Sequence, residues 1–576
     1  MICVGPTKVE CNVMSQQTEN KVCQSCKNDF AIHSEDFNLY EKIKVPPPSW
    51  CPWCRLRRRL AFRNERMFYK RKCDLCGENV ISAYSPKNRY TVYCPKCWYS
   101  DSWDAYSYGR DYDFSRNFFE QFLELDRIVP HIALFQKNNV NSQWVNYETD
   151  DKNCYLNVGG HFNQDCSYNQ YALKSRDSLD NFWLIQGEFC YENILCENAY
   201  KNIGSVFCFE CQDIWFSFDC RNCSNAIGCS GLRHKKYHIF NSPVTKEEYE
   251  RFVAGNLNGS RKKFWEIKKK SEDSWKKFPQ RALFMERSLN CMGNVIKDSR
   301  NCHEVYNTEK SENSAYLFFN LDMKDSIDVT SVWNGELLYE LLAGVTALSK
   351  VLCSWQVIDH SSDINYSGVI VNSNNCFGCS NMKKGEYSIL NKKYSPEEYK
   401  TFVEKIKNHM DDMSYVDKKG RIYKYGDFFP YEISPFSYSE TVANEYFPLN
   451  EEEIKKEGFR DEDHSAETNY DVEVITPPDL ISEVDESILN RAIKCESTGK
   501  LFKLIKSELD FYKRFSLPVP NKSPFARHRE RLRFISEHMK LLDRVCGKCN
   551  ASIKSVYKEE EFPTVYCEKC YQQEVY

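Results

Sequence analysis

Long apolar runs are missing from this chain. Its greasiest stretch, Leu337–Trp355, carries Glu340 and Lys350 and makes a poor membrane span. Residues 1–20 lack a basic start followed by an apolar run, so no secretory leader is expected. A phosphate loop, a nucleophile elbow and an H-E-x-x-H pair are also lacking, which removes the usual sequence evidence for three hydrolytic chemistries. Charge of one sign is missing too. A net charge of −4 over 576 residues pulls toward no class of partner, so any charge argument is local. Met14 opens a segment that would itself make a sensible start, so residues 1–13 read as either disordered or spurious, and residues 1–22 are expected to be disordered.

Cysteine is abundant, with 29 residues. C-x2-C pairs at zinc spacing need thiolates, which points to a reducing, cytoplasmic setting rather than a disulfide scaffold. The length calls for three to five domains, and 41% hydrophobic residues support a folded chain.

Residues 23–100 read as two zinc modules in series. Cys23 and Cys26 join Cys51 and Cys54, the last opening a basic helix over 55–66. Cys73 and Cys76 join Cys94 and Cys97 around a hairpin of Val80–Tyr84 and Arg89–Tyr93. The pattern returns near the C-terminus. At an offset of 472, Arg55, Arg57 and Arg59 fall on Arg527, Arg529 and Arg531. At 473, Cys73, Cys76, Cys94 and Cys97 fall on Cys546, Cys549, Cys567 and Cys570. The C-terminal copy of the first site is damaged: Cys495 is kept, but Thr498, Ser523 and Ala526 replace the other three ligands. Three Zn²⁺ ions per chain are expected.

The stretch CQSCKNDFAIHSEDFNLYEKIKVPPPSWCPWCRLRRR resembles the zinc-ribbon, or treble-clef, domains of bacterial proteins. With CDLCGENVISAYSP, WDAYSYGRDYDFSRNFFEQF and YGDFFPYEISPFSYSETVANEYFPL, nearly the whole chain resembles large uncharacterised cysteine-rich proteins of candidate-phylum bacteria. That resemblance implies an architecture.

Between the modules the texture changes. Residues 101–150 read as an aromatic linker with a helix around 115–125. From about 151, phrases such as NCYLNV, DCSYNQ and DCRNCSNAIGC recur. Cys190 and Cys211 lie 21 apart, as do Cys208 and Cys229. Small residues and cysteines with Asn and Asp at corners suggest a right-handed parallel β-helix of about 21 residues per coil. Residues 151–286 form the first such solenoid and 287–410 the second. Each ends in a helix with a capping box, Thr245 with Glu248 and Ser395 with Glu398, and these phrases align at an offset of 150. An apolar helical insert is expected at 336–348 and a basic helix at 261–277. Residues 411–480 read as a loop-rich linker, and 481–576 as the degenerate module with one zinc. The fold class is thus multidomain and mainly β.

Across residues 41–72, eleven basic residues face only Glu41 and Glu65. Arg55, Arg57, Arg58, Arg59, Arg63, Arg66, Lys70, Arg71 and Lys72 beside zinc knuckles suit phosphate contacts, in RNA or single-stranded nucleic acid before DNA. Two alternatives stay open: these residues neutralise the tetrathiolate sites, or they meet a protein partner along the solenoid face. Cys208, Cys211, Cys220 and Cys223 fit either a fourth zinc or an interior ladder of small side chains, and the ladder is the stronger reading. His234, His238 and the Cys302–His303 pair would suit a metal or thiol mechanism, yet no catalytic cluster gathers around them. The reading that follows is a zinc-binding scaffold that holds nucleic acid. The alternatives are a protein-assembly scaffold with structural zinc and, third, a carbohydrate-acting β-helix.

Overall fold

The computed structural model describes residues 18–344, 348–356, 360–461 and 472–575. Most of the expected disordered segment lies outside these residues. Its end does not: Glu19–Val22 is a strand paired antiparallel with Asp29–Ile32.

The first module continues into helix α1 (Ser34–Ile43) and helix α2 (Pro52–Leu60). Helix α2 stops well short of residue 66. The hairpin lies elsewhere than expected: Tyr69–Lys72 pairs with Asn79–Ser82, and the turn between them carries Cys73 and Cys76. Val92–Tyr93 instead joins His131–Ile132 in parallel. The helix expected at 115–125 runs from Phe118 to Ile128.

Two long parallel ladders fill the middle of the molecule. Their pairing steps by 12 residues, as in Tyr200 to Gln212 to Ser224 to Lys236. The expected period of about 21 is therefore corrected to 12. The first ladder also begins earlier, with Gln136 beside Glu148 inside the expected linker.

From Tyr147 to Phe240 every third residue has a positive φ, so each 12-residue rung turns four left-handed corners. Bulky residues such as Trp183 and Phe207 sit at such corners, a conformation that L-residues rarely adopt. Hydrogen bonds to both neighbouring rungs offset the strain: Lys201 N–H donates to Glu188 O at 2.9 Å, and Tyr200 N–H to Cys211 O at 3.1 Å.

The inward position of each triplet is small or aliphatic and often accepts an amide from the next rung. Asn157, Asn169 and Asn181 accept from the N–H groups of Asn169, Asn181 and Asn193 at 2.9–3.0 Å. Ser205 and Ser217 continue that line to Cys229. Cys190, Cys196, Cys208, Cys211, Cys220, Cys223 and Cys229 all occupy the inward phase and are buried. Their 21-residue spacings are seven triplets, which carry the three-residue rule and miss the rung.

Helix α3 (Lys246–Asn256) with its Thr245–Glu248 capping box follows the first ladder, and helix α4 (Arg261–Trp275) comes next. The second ladder runs from Met285 to Ile389 and is followed by helix α5 (Pro396–Asp412). Both ladders end the same way: Phe240–Asn241 and Leu390–Asn391 take consecutive positive φ values, and the chain folds back antiparallel.

The expected helix at 336–348 is replaced by strands Trp333–Tyr339 and Leu348–Leu352, while residues 345–347 lie outside the described set. Leu338 and Leu341 are fully buried three residues apart, an inward triplet spacing that mimics a helix face. In this ladder the step is 11 residues at Leu289–Arg300 and 13 at Gly335–Leu348 and Ser349–Ser362.

The ladders lie side by side and antiparallel. His161 meets Trp333, Tyr171 meets Phe319, and Phe207 stacks on Phe284 at 3.7 Å. Rising numbers in one ladder thus meet falling numbers in the other. The C-terminal copy repeats the first module with helix α6 (Lys506–Arg514) and helix α7 (Pro524–Glu537).

Candidate metal centres and the docked arginines

Three cysteine quartets come together: Cys23, Cys26, Cys51 and Cys54; Cys73, Cys76, Cys94 and Cys97; and Cys546, Cys549, Cys567 and Cys570. Within each, all four sulfurs lie within 4.8 Å of one another. One edge of each quartet measures 3.8 Å for Cys26–Cys51, 4.0 Å for Cys76–Cys94 and 3.8 Å for Cys549–Cys567. A disulfide needs about 2.05 Å, whereas a tetrahedron with about 2.3 Å Zn–S bonds has edges of about 3.8 Å. The geometry is that of tetrathiolate zinc, three sites per chain.

The local sequence builds each knuckle in the same way. The residue four beyond the first cysteine turns left-handed: Lys27, Gly77 and Asn550, with Gly499 in the damaged copy. Its amide closes on the carbonyl of that cysteine at 2.9 Å in all four cases. The third cysteine then sends its N–H to the first sulfur, 3.2 Å for Cys51 to Cys23 and for Cys94 to Cys73, and 3.3 Å for Cys567 to Cys546. Burial pushes the Cys73 thiol up, but the amides of Cys76 and Cys94 overcome it and hold it at about 7. The Cys546 thiol is brought to about 6 in the same way. Cys51 and Cys94, each followed by proline, are the residues that cap their helices, and Cys54 lies in the first turn rather than opening it.

The damaged site keeps this frame without metal. Ser523 caps α7 and accepts from Ala526 N–H at 3.3 Å, while its own amide still donates to Cys495 Sγ at 3.4 Å. A serine hydroxyl is a better helix cap than a thiol, so loss of the ligand strengthens the local cap.

Most of the arginines expected to meet phosphate are buried. Arg55, Arg58 and Arg59 are 1%, 0% and 1% exposed. Arg55 Nε and Arg59 Nη1 reach Asp328 Oδ1 at 2.8 and 3.3 Å, and Arg58 Nη2 reaches Glu340 Oε1 at 2.7 Å. Arg63 pairs with Glu65 and lies 3.8 Å over the Tyr147 ring, and Arg66 donates to Gln170. Arg57 meets Glu457 at 3.1 Å. Arg71 binds Asp74 and the Tyr90 carbonyl. Only Lys70 and Lys72 face solvent openly. In this fold Arg55, Arg58, Arg59, Arg63 and Arg66 are therefore buried away from any phosphate: the first three dock on the ladder carboxylates Asp328 and Glu340, while Arg63 is held by Glu65 and Arg66 by the Gln170 amide.

The C-terminal copy docks in the same way on the other ladder. Arg527 Nε and Arg531 Nη2 hold Asp180 at 2.9 and 2.8 Å. Asp328 and Asp180 are 148 positions apart (328 − 180), and both occupy left-handed corners. The same offset relates Tyr316, under Arg55 and bonded to Asp36, to Tyr168, under Arg527 and bonded to Glu508. It also relates Tyr339 beside Tyr40 to Tyr191 beside Tyr512. One substitution breaks the correspondence. Glu530 stands where Arg58 would be, and Lys268 of α4 comes in to hold Glu192, the counterpart of Glu340, at 2.9 Å. Each terminal module therefore docks on the ladder farther from it in sequence. Sequence reasoning found the arginines and missed their partners, since single acidic residues at ladder corners carry no motif.

The remaining candidates resolve as structure. Cys208, Cys211, Cys220 and Cys223 lie in the buried ladder core. Their sulfurs face backbone carbonyls at 3.3–3.8 Å, and they form no ligand set among the described residues. His303 Nε2 meets Asp36 at 2.6 Å, and His238 Nδ1 meets the Lys236 carbonyl at 2.9 Å. Among the described residues no helix is long and apolar enough to cross a membrane. No family model, curated protein or solved structure matches the chain.

Proposed function

We propose that this protein is a zinc-dependent scaffold whose terminal modules clamp two β-solenoids into one body. Each ladder is read as a solenoid with a 12-residue coil and four corners. The observation that carries the reading is the crossed docking: arginines of the first zinc module and of its metal-free C-terminal copy hold Asp328 and Asp180 in buried pairs. Positive charge that sequence alone would give to a polyanion is used inside the molecule, and at the N-terminal end the helix that presents it carries Cys54 of a metal quartet. The long lateral faces of the solenoids are the surface such a scaffold offers to a protein partner. None of the twenty-seven cysteines among the described residues is in a disulfide, which fits a reducing, cytoplasmic setting. Stripping zinc with a strong chelator tests the proposal. A clamp loses most of its thermal stability and its compact hydrodynamic radius, and recovers both on zinc addition. A chain that keeps both without metal refutes it.

Nucleic-acid binding stands as the second reading, favoured by the open Lys70 and Lys72 and by Lys262, Lys263, Lys269 and Lys270 on α4. It is tested by a salt series with labelled single-stranded RNA, comparing the natural chain with a variant carrying Lys70→Glu and Lys72→Glu. Binding that steepens at low salt and collapses in the variant supports it. Flat, weak binding in both removes it.

A further inference from the structure

The metal centres do not exhaust the sulfur chemistry of this chain. Outside the three quartets, every cysteine among the described residues is buried except Cys291. Cys154 and Cys166, or Cys211 and Cys223, also stand one rung apart in the ladder, but both members of each pair are buried. Cys291 differs because it lies on an open edge. Among the described residues Leu289–Gly293 pairs on one side only, and Leu289 and Met292 are 73% and 39% exposed.

On its closed side Cys291 is in register with Cys302 of the next rung. Such strands lie about 4.8 Å apart, inside the Cα separation of about 4.4–6.8 Å that a disulfide spans. The two sulfurs take the same place in successive rungs. Cys291 Sγ donates to the Leu289 carbonyl at 3.4 Å and Cys302 Sγ to the Arg300 carbonyl at 3.3 Å, and both residues pack on the interior of the second ladder. The Cys302 thiol brings the Cys291 thiol down to about 7, whereas Cys291 and burial push Cys302 up. An accessible thiolate beside a sealed resolving thiol is the arrangement that reacts with peroxide.

We propose that Cys291 and Cys302 form a redox site that reacts with hydrogen peroxide and closes to a disulfide. The Cys291 thiolate attacks one peroxide oxygen, the O–O bond breaks, and hydroxide leaves to take up the proton that Cys291 gave. The Cys302 sulfur then attacks the sulfenic acid on Cys291. An S–S bond forms, the S–O bond breaks, and the hydroxyl departs as water with the Cys302 proton. The two thiols lose two electrons and the peroxide gains them. The new bond ties the open edge to the rung whose His303 meets Asp36 of the first module at 2.6 Å. This inference rests on neither the scaffold nor the nucleic-acid reading.

Treatment of the zinc-loaded full chain with a stoichiometric amount of hydrogen peroxide provides the test, followed by blocking of the remaining thiols and peptide mapping without reduction. The linked Cys291–Cys302 peptide is expected as the first disulfide to form, with zinc content unchanged, and dithiothreitol should reopen it. Cys302→Ser should lose the link and leave Cys291 as a sulfenic acid that dimedone captures. If circular dichroism shows that variant misfolded, Cys291→Ser, at the open position, should leave Cys302 unoxidised under the same treatment. A Cys291 that stays unmodified overturns the proposal. So does a disulfide that forms first elsewhere, or oxidation of Cys302 in the folded Cys291→Ser chain.

Discussion

Asp328 and Asp180 each hold two guanidiniums in the dry interior. Removing one partner from such a group leaves charge buried without compensation, which costs about 3–5 kcal/mol, whereas solvent-exposed pairs contribute ~1 kcal/mol or less. Asp328→Ala is therefore expected to lower thermal stability sharply, and chemical denaturation should place the loss in that range. An exposed pair such as Lys246–Glu250, tested by Glu250→Ala, should change little. A second residue gives a pH signature. Burial raises the Asp427 carboxyl to about 6, with Arg58 opposing from 4.0 Å. A raised carboxyl favours folding below its unfolded value of about 3.9, and that contribution is lost as pH rises through 6. Asp427→Asn should therefore gain melting temperature over the natural chain between pH 5 and 8, by on the order of 1–2 kcal/mol in stability. A constant difference across that window would show the carboxyl is not strained.

At the scale of elements, each zinc knuckle locks one strand or helix to the body. Cys94→Ser should remove one zinc ion by metal analysis, and unchanged stoichiometry would discard that quartet. Val565–Tyr566, next to the last knuckle, pairs with Gln280–Arg281. Cys546→Ser should accordingly speed hydrogen exchange at the Gln280 and Ala282 amides, which donate to Thr564 and Tyr566. What could be read beforehand followed chemistry with a local spacing. Cysteine pairs two apart, capping boxes and the 472-residue echo all announce themselves within short windows. The 12-residue rung did not. Its signal is a three-residue alternation of small inward side chains, and three-residue spacing imitates both a helix face, as at Leu338 and Leu341, and longer periods, as at Cys190 and Cys211. The arginine partners were illegible for a different reason. Which corner carries Asp328 is decided by the docking of elements 273 positions apart, a relation that no window spans.

For the whole molecule, crossed docking makes the two halves mutually dependent. A chain cut in the loop after α3 should yield fragments that are unstable alone but co-purify at one to one when expressed together. Independently stable fragments would show that the buried pairs are incidental. The one-residue slips fit the same picture. The offset between the ladders is 148 at the docking corners and 150 at the capping helices, and the two 13-residue steps between them account for the change. The docking corners thus stay in register while length is absorbed beyond them.

Crossed docking also sets an order of events on the ribosome. Arg55 is made 273 residues before Asp328. At about 5–20 residues per second its carboxylate partner arrives roughly 15–55 s later. Until then the positive charge of the first module lacks its carboxylate partner. Arg531, made last, finds Asp180 already in place. The charge of the first module therefore stays uncompensated until the second half of the chain is made, and the body closes from its C-terminal end.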